Sequence, residues 1–201
     1  VGAVYTVHLV RILLCWASLP AVACKKVPVG ETAAIDSWLN HYPLVRGVFH
    51  VDPPVHFGGN EDGEKKYMSQ MKTDFAFERR VQSGLERVLT GVSRPGGMTE
   101  TASGAALEIG AGHGILSRPL IKLHRYAVSV ITDSSPTFLE HISTTLKGRR
   151  NRQATRFATL SSLAHVPLNT FEFIVLRYVL HHIPNWKAFI RDAARVLVSG
   201  G

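Results

Sequence analysis

The chain has 201 residues, 45% of them hydrophobic and 19% charged, enough for one or two domains with a buried core and too apolar for a disordered chain. Its 23 Lys and Arg against 15 Asp and Glu give a net charge of +8, which favours anionic partners such as nucleic acid, phosphorylated metabolites or a membrane surface. Two cysteines, Cys15 and Cys24, are too few for a disulfide framework, and no Cys/His cluster has zinc-ligand spacing, so no bound metal is expected.

Residues 1–30 are an apolar N-terminal segment in which Arg11 precedes the run Ile12–Cys24, with Ala21 and Ala23 in small-x-small spacing. The run is shorter than the ~20 residues of a membrane helix and contains Pro20, so no stable span is expected. A cytoplasmic location follows unless this segment is a signal or transit sequence. Residues 31–104 read as a helical extension and linker. Residues 31–66 mix aromatics with turn formers, and Gly58–Gly63 has the chemistry of a loop. From Tyr67 to Leu89, Met68, Met71, Phe75, Val81, Leu85 and Val88 recur at helical steps, a stripe suited to core packing. Ser93–Gly104 is a linker of small and polar residues.

From residue 105 the chain alternates. Strands are predicted at Ala105–Ile109, Ala127–Thr132, Thr155–Ala158 and Phe171–Leu176, and helices at Ile115–Leu123, Pro136–Leu146 and Trp186–Leu197. Strand–helix alternation of this kind gives βαβ units, hence an α/β, doubly wound parallel sheet over residues 105–201. In such sheets ligands sit beyond the carboxyl ends of the strands, where strand order reverses. The first strand runs into "EIGAGHG", with glycines at 110, 112 and 114 that let a ligand approach the backbone. The second runs into Asp133, whose carboxylate can accept hydrogen bonds from both hydroxyls of a ribose. It could instead cap the next helix, but Ser134 or Ser135 could do that equally well.

The glycine pattern is G-x-G-x-G, not the G-x-G-x-x-G of dinucleotide folds. "LEIGAGHG" resembles the first motif of class I S-adenosylmethionine-dependent methyltransferases of the small-molecule type, and "VITDSS" their second-strand acid motif. "NTFEFIVLRYVLHHIPNWKAFIRDAARVLVSGG" is similar to their fourth-strand block, with its Leu-His-His and closing "RVL-x-x-GG". The resemblance implies a Rossmann-like fold, S-adenosylmethionine as cofactor and a small-molecule methyl acceptor. It implies that Glu108 orients the methionine part, that Gly110, Ala111, Gly112 and Gly114 give backbone contacts, that Asp133 holds the ribose, and that Ser134 lies beside the adenine. Arg177 and Tyr178 would face the methyl-donor pocket.

The chain departs from the family in three ways. Where the family has an acid after the third strand, this sequence offers Leu160, Ser161 and Ser162; where it has Phe-Asp at the fourth, this one has Phe171-Glu172. The family's sheet also continues past the Gly-Gly turn, so the sheet is expected to be incomplete at its C-terminal end, a truncated core with an open edge prone to self-association. Residues 31–89 are the alternative cover for that edge. His181 and His182 are the obvious base candidates, but no catalytic base is assigned, since methyl transfer mainly needs alignment and exclusion of water.

Weaker readings are a non-catalytic methyltransferase-like binding protein and a nicotinamide-dependent oxidoreductase. A nucleic-acid amino-methyltransferase is a further alternative, suggested by Asp52-Pro53-Pro54 and the basic stretch 147–156.

Overall fold

The computed structural model describes residues 31–56, 60–70, 75–91, 104–122, 126–146 and 155–199. The apolar N-terminal segment with Cys15 and Cys24, most of the Ser93–Gly104 linker, the basic residues 147–154 and the terminal glycine pair lie outside these. Among the described residues no helix is long and apolar enough to cross a membrane.

Six strands form one sheet in the order β1-β2-β5-β4-β3-β6: β1 (Leu44–Val45), β2 (Val48–His50), β3 (Ala105–Ile109), β4 (Val128–Asp133), β5 (Thr155–Thr159) and β6 (Phe173–Leu176). Only the β1–β2 pair is antiparallel; every other pairing is parallel. The four predicted strands are all present. β3 and β4 are buried along their whole lengths, as apolar strands covered on both faces must be.

The helices are α1 (Glu31–Leu39), α2 (Glu61–Gln70), α3 (Phe75–Gly91), α4 (Ser117–Lys122), α5 (Pro136–Thr145) and α6 (Trp186–Val196). Residues of α1 and α6 pack with Leu107, Ile109, Val128 and Val130 in one core cluster. Residues of α3, α4 and α5 pack with Ala106, Ile131, Phe157 and Val175 in the other. Alternate residues of β3 thus enter opposite layers, the period-2 signature of a strand, and the sheet is doubly wound as expected.

Local chemistry sets the helix starts. Ser135 caps α5 by accepting the Phe138 N–H, with Pro136 at the first helical position, where its missing N–H is no loss. Asn185 likewise caps α6 through the Ala188 N–H.

The N-terminal half departs from its reading in three places. The stretch Tyr67–Leu89 is helical in its described parts, the end of α2 and most of α3, with residues 71–74 outside the described residues. α2 starts at Glu61, inside the stretch read as loop, where Glu61, Asp62 and Glu64 place three acids in its first turn and so favour its positive end. The extension is helical for the most part, but it also supplies β1 and β2, too short to leave an alternation in the sequence. Finally, β2 pairs with β5 at Phe49–Ala158 and His50–Thr159, so these strands occupy the end of the sheet opposite β6 and do not cover the β6 edge. That edge meets one parallel bridge, Phe171–Leu197, with the Val198 N–H donating to Phe171 O at 2.9 Å.

Leu107 is fully buried at the centre of β3, whereas Leu168 is 54% exposed. Leu107→Ala is expected to destabilise the chain by about 2–5 kcal/mol and Leu168→Ala by less than about 0.5 kcal/mol. Urea denaturation of the two variants checks this; equal losses would refute the core assignment.

Candidate functional site

The site forms where β3 ends. Beyond Ile109 the chain enters a turn whose Ala111 N–H donates to Thr132 O at 2.9 Å and whose Gly112 N–H donates to Asp133 Oδ2 at 2.8 Å. The Ser135 N–H donates to Asp133 Oδ1 at 2.9 Å. Asp133 therefore joins the glycine turn to the start of α5, while Ser135 does the capping. The Gly114 N–H closes the turn on Ala111 O at 2.9 Å.

The glycines have distinct reasons. Gly110 and Gly112 both have positive φ, +68° and +53°, a region that side chains disfavour. A side chain at Gly110 would run into Val179, whereas one at Gly112 would meet nothing within 4 Å. Gly110 is thus required by packing. Gly112 borders open space.

Two carboxyls lie at this turn. Glu108 is 1% exposed, and its Oε2 has no hydrogen-bond partner among the described residues. Burial pushes its pKa up to about 8; Ser117 opposes this and the Asp133 charge adds to it. Asp133 is also buried, and burial raises its pKa against the N–H groups of Ser135 and Gly112 that favour the charged form.

On the other side of β3, β6 delivers Arg177, half-buried, with its guanidinium carbon 4.3 Å from the centre of the Tyr178 ring. Tyr178 has φ +56° and is 47% exposed. β4, β3 and β6 are adjacent, so Asp133 and Arg177 flank the glycine turn about two strand spacings, ~10 Å, apart. Glu108, Gly110, Ala111, Gly112, Gly114, Asp133, Ser134 and Arg177 thus fall together at one end of the sheet. His181 and His182 form an exposed 3₁₀ turn beyond β6, their rings 3.9 Å apart. Among the described residues no group of three His, Cys, Asp or Glu is placed to hold a metal.

Two residues at this end escaped the sequence reading. His113 lies within the turn, and burial lowers its pKa. Glu64 of α2 is fully buried, takes the His56 Nδ1 at 2.9 Å and adds its charge to the raising of Asp133. Asp52, read as part of an amine-holding Asp-Pro-Pro motif, follows β2 and sits at the end of β5, across β4 and β3 from β6. The motif is therefore remote from the strand that carries Arg177.

Residues 107–201 match the family model of a methyltransferase domain. No curated protein matches the chain. Among solved structures it is similar to a Methanococcus maripaludis protein described as an S-adenosylmethionine-dependent methyltransferase, with 20% identity over 71% of this chain and a TM-score of 0.55. It is also similar to the DszA carbon methyltransferase, with 21% identity over 70% of this chain and a TM-score of 0.52. The chain spans only 61% and 38% of their respective lengths. The likeness to these structures is one of fold; together with the family match, it shows that residues 107–201 belong to the methyltransferase-domain family, built on the class I, Rossmann-like sheet.

Proposed function

We propose that the chain is an S-adenosylmethionine-dependent methyltransferase acting on a small-molecule acceptor. The observation that carries this is the buried Glu108 carboxyl, whose Oε2 has no hydrogen-bond partner among the described residues, beside a glycine turn held open by Asp133. A buried carboxyl in that state is costly unless a donor or a cation arrives, and the amino-acid end of the cofactor is such a group. The space beside Gly112 fits a ligand as well, since even a methyl group placed there would touch nothing.

In this reading Glu108 orients the methionine part and Asp133 accepts from the ribose hydroxyls. Gly110, Ala111, Gly112 and Gly114 line the ligand with backbone, and Ser134 borders the base. Arg177 and Tyr178, beyond the neighbouring strand, face the methyl-donor end. Bound there, the cofactor supplies a methyl group already activated by its positive sulfur. What this chain adds is alignment, and exclusion of water by the buried walls around β3. No residue is assigned as a base. The strongest alternative is a binding protein that keeps the pocket and transfers nothing. A nucleic-acid acceptor draws less support, because the Asp-Pro-Pro stretch lies at the far side of the sheet.

S-adenosylmethionine and S-adenosylhomocysteine should bind with micromolar affinity by isothermal titration. Gly112→Val, which fills the open space, and Asp133→Ala, which removes the ribose acceptor, should each weaken binding at least tenfold, about 1.4 kcal/mol. Two variants that titrate like the wild type would refute the site.

The raised pKa of Glu108 makes a second prediction. In the folded state it keeps its proton up to about 8, whereas the unfolded carboxyl loses it near the ordinary value of about 4.3. Its contribution is therefore fully present below the unfolded pKa and is lost as pH rises through about 8. Glu108→Gln cannot ionise, so without ligand it should gain stability relative to the wild type as pH rises across that window, by about 2–5 kcal/mol. Denaturant melts at both ends of the window check this; a difference that does not change with pH would rule it out.

A further inference from the structure

β3 and β6 end together, with Ile109 opposite Leu176. Arg177 therefore stands beside Gly110, one strand spacing, ~4.8 Å, away. The chain then folds over the glycine turn. Val179 occupies the place where Gly110 would carry a side chain, and Val179 O accepts from the His182 N–H at 2.8 Å. Just ahead of these anchors Tyr178 adopts φ +56°. A bulky residue is rarely found in that region; strain of this kind persists where the surroundings impose it, and it clusters at functional sites.

That conformation sets the Tyr178 ring against the Arg177 guanidinium, whose carbon is 4.3 Å from the ring centre. Stacking engages the face of the guanidinium, while its N–H donors lie at the edge, in a fork that fits the oxygens of a carboxylate or a phosphate. Burial disfavours the Arg177 charge and Tyr178 supports it, but a guanidinium in a protein does not give up its proton. The charge reaches into the glycine turn. At His113, burial and the charges of Arg118, Arg177 and His141 disfavour the protonated ring, and Glu78 opposes them. Glu78 is itself engaged by Arg118 at 3.4 Å. The β6 side of the turn is thus electropositive, whereas the β4 side carries Asp133.

We propose that Arg177, backed by Tyr178, binds an anionic group, a carboxylate or a phosphate, on the methyl acceptor. The inference rests on the proposed function and adds a substrate class to it. In that function the methyl-donor end of the cofactor lies toward Arg177 and brings a positive sulfur, so two positive charges share one side of the site. An anion on the acceptor offsets both, and a forked donor fixes the orientation of the acceptor as well as its charge. A neutral acceptor leaves the repulsion standing. The net charge of +8 acts in the same direction, by drawing anions to the chain.

The test is an NMR titration of the whole chain, saturated with S-adenosylhomocysteine, using inorganic phosphate, acetate and acetamide as probes. Phosphate or acetate should bind at least about tenfold more tightly than acetamide, which has the size of acetate without its charge. Which of the two anions binds better tells a phosphate acceptor from a carboxylate one. Arg177→Leu should lose the preference, and Arg177→Lys, which keeps the charge without the fork, should keep part of it. A wild type that binds neither anion better than acetamide overturns the proposal, without relying on the fold of any variant. So does an Arg177→Leu chain that still binds S-adenosylhomocysteine and keeps the full preference. A third result also overturns it: Arg177→Leu weakening S-adenosylhomocysteine at least about tenfold but not 5′-methylthioadenosine, which lacks the amino-acid end, since Arg177 would then hold the carboxylate of the cofactor. A wild type that binds no S-adenosylhomocysteine defeats the proposed function itself, and this inference with it.

Discussion

The Gly112 N–H bonded to Asp133 Oδ2 is the contact on which the rest of the site depends. It exists because β3 and β4 run parallel with Ile109 opposite Thr132, so the turn leaving one strand passes the last residue of the next. The ladder then continues without a strand: Ala111 donates to Thr132 O, and Thr132 Oγ1 donates to Glu108 O at 2.6 Å. With the turn fixed, Gly112 faces open space, Glu108 is sealed behind it, and Ser135 is left to begin α5. A shift of one residue in the β3–β4 register would exchange the faces of one strand relative to the other and dismantle all three.

Electrostatics at this end work against the stability of the fold. Glu108, Asp133 and Glu64 are all buried, and the charge of Asp133 disfavours ionisation of Glu108 as that of Glu64 does for Asp133. Among the described residues, only Glu64 of the three is paired with a basic side chain, His56. Buried acids held near one another are unfavourable in an isolated fold and make sense beside a ligand that brings positive charge and donor groups.

The C-terminal half was legible in the sequence because its elements are long enough to carry their own signals. β3, β4 and β6 are short apolar runs bounded by turns, α6 has an unbroken stripe, and the acid at 133 and the glycines before it stand at fixed distances from strand ends. The N-terminal half was less legible for the opposite reason. β1 and β2 have two and three residues, below the length at which alternation means anything, and they are strands because β5 offers an edge. The surroundings of Asp52 and Glu64 were hidden for a related reason: Ser161, which donates to Asp52, and Asp133, on which the Glu64 charge acts, are remote from them in sequence. The start of α2 was masked by glycine and asparagine just ahead of it, residues that serve a helix N-terminus as readily as a loop.

The placement of β2 also bears on how the molecule assembles. Asp52 and Ser161 are 109 residues apart, and between them lie β3, β4 and β5. The central strands can form from neighbouring βαβ segments, but the hairpin has no partner until β5 exists. Loop closure over that distance is slow, and during synthesis the N-terminal strands must wait for the chain that receives them. The edge of β5 is therefore covered late, and a strand edge left unpaired in the interval is the place where a partly folded chain would meet another.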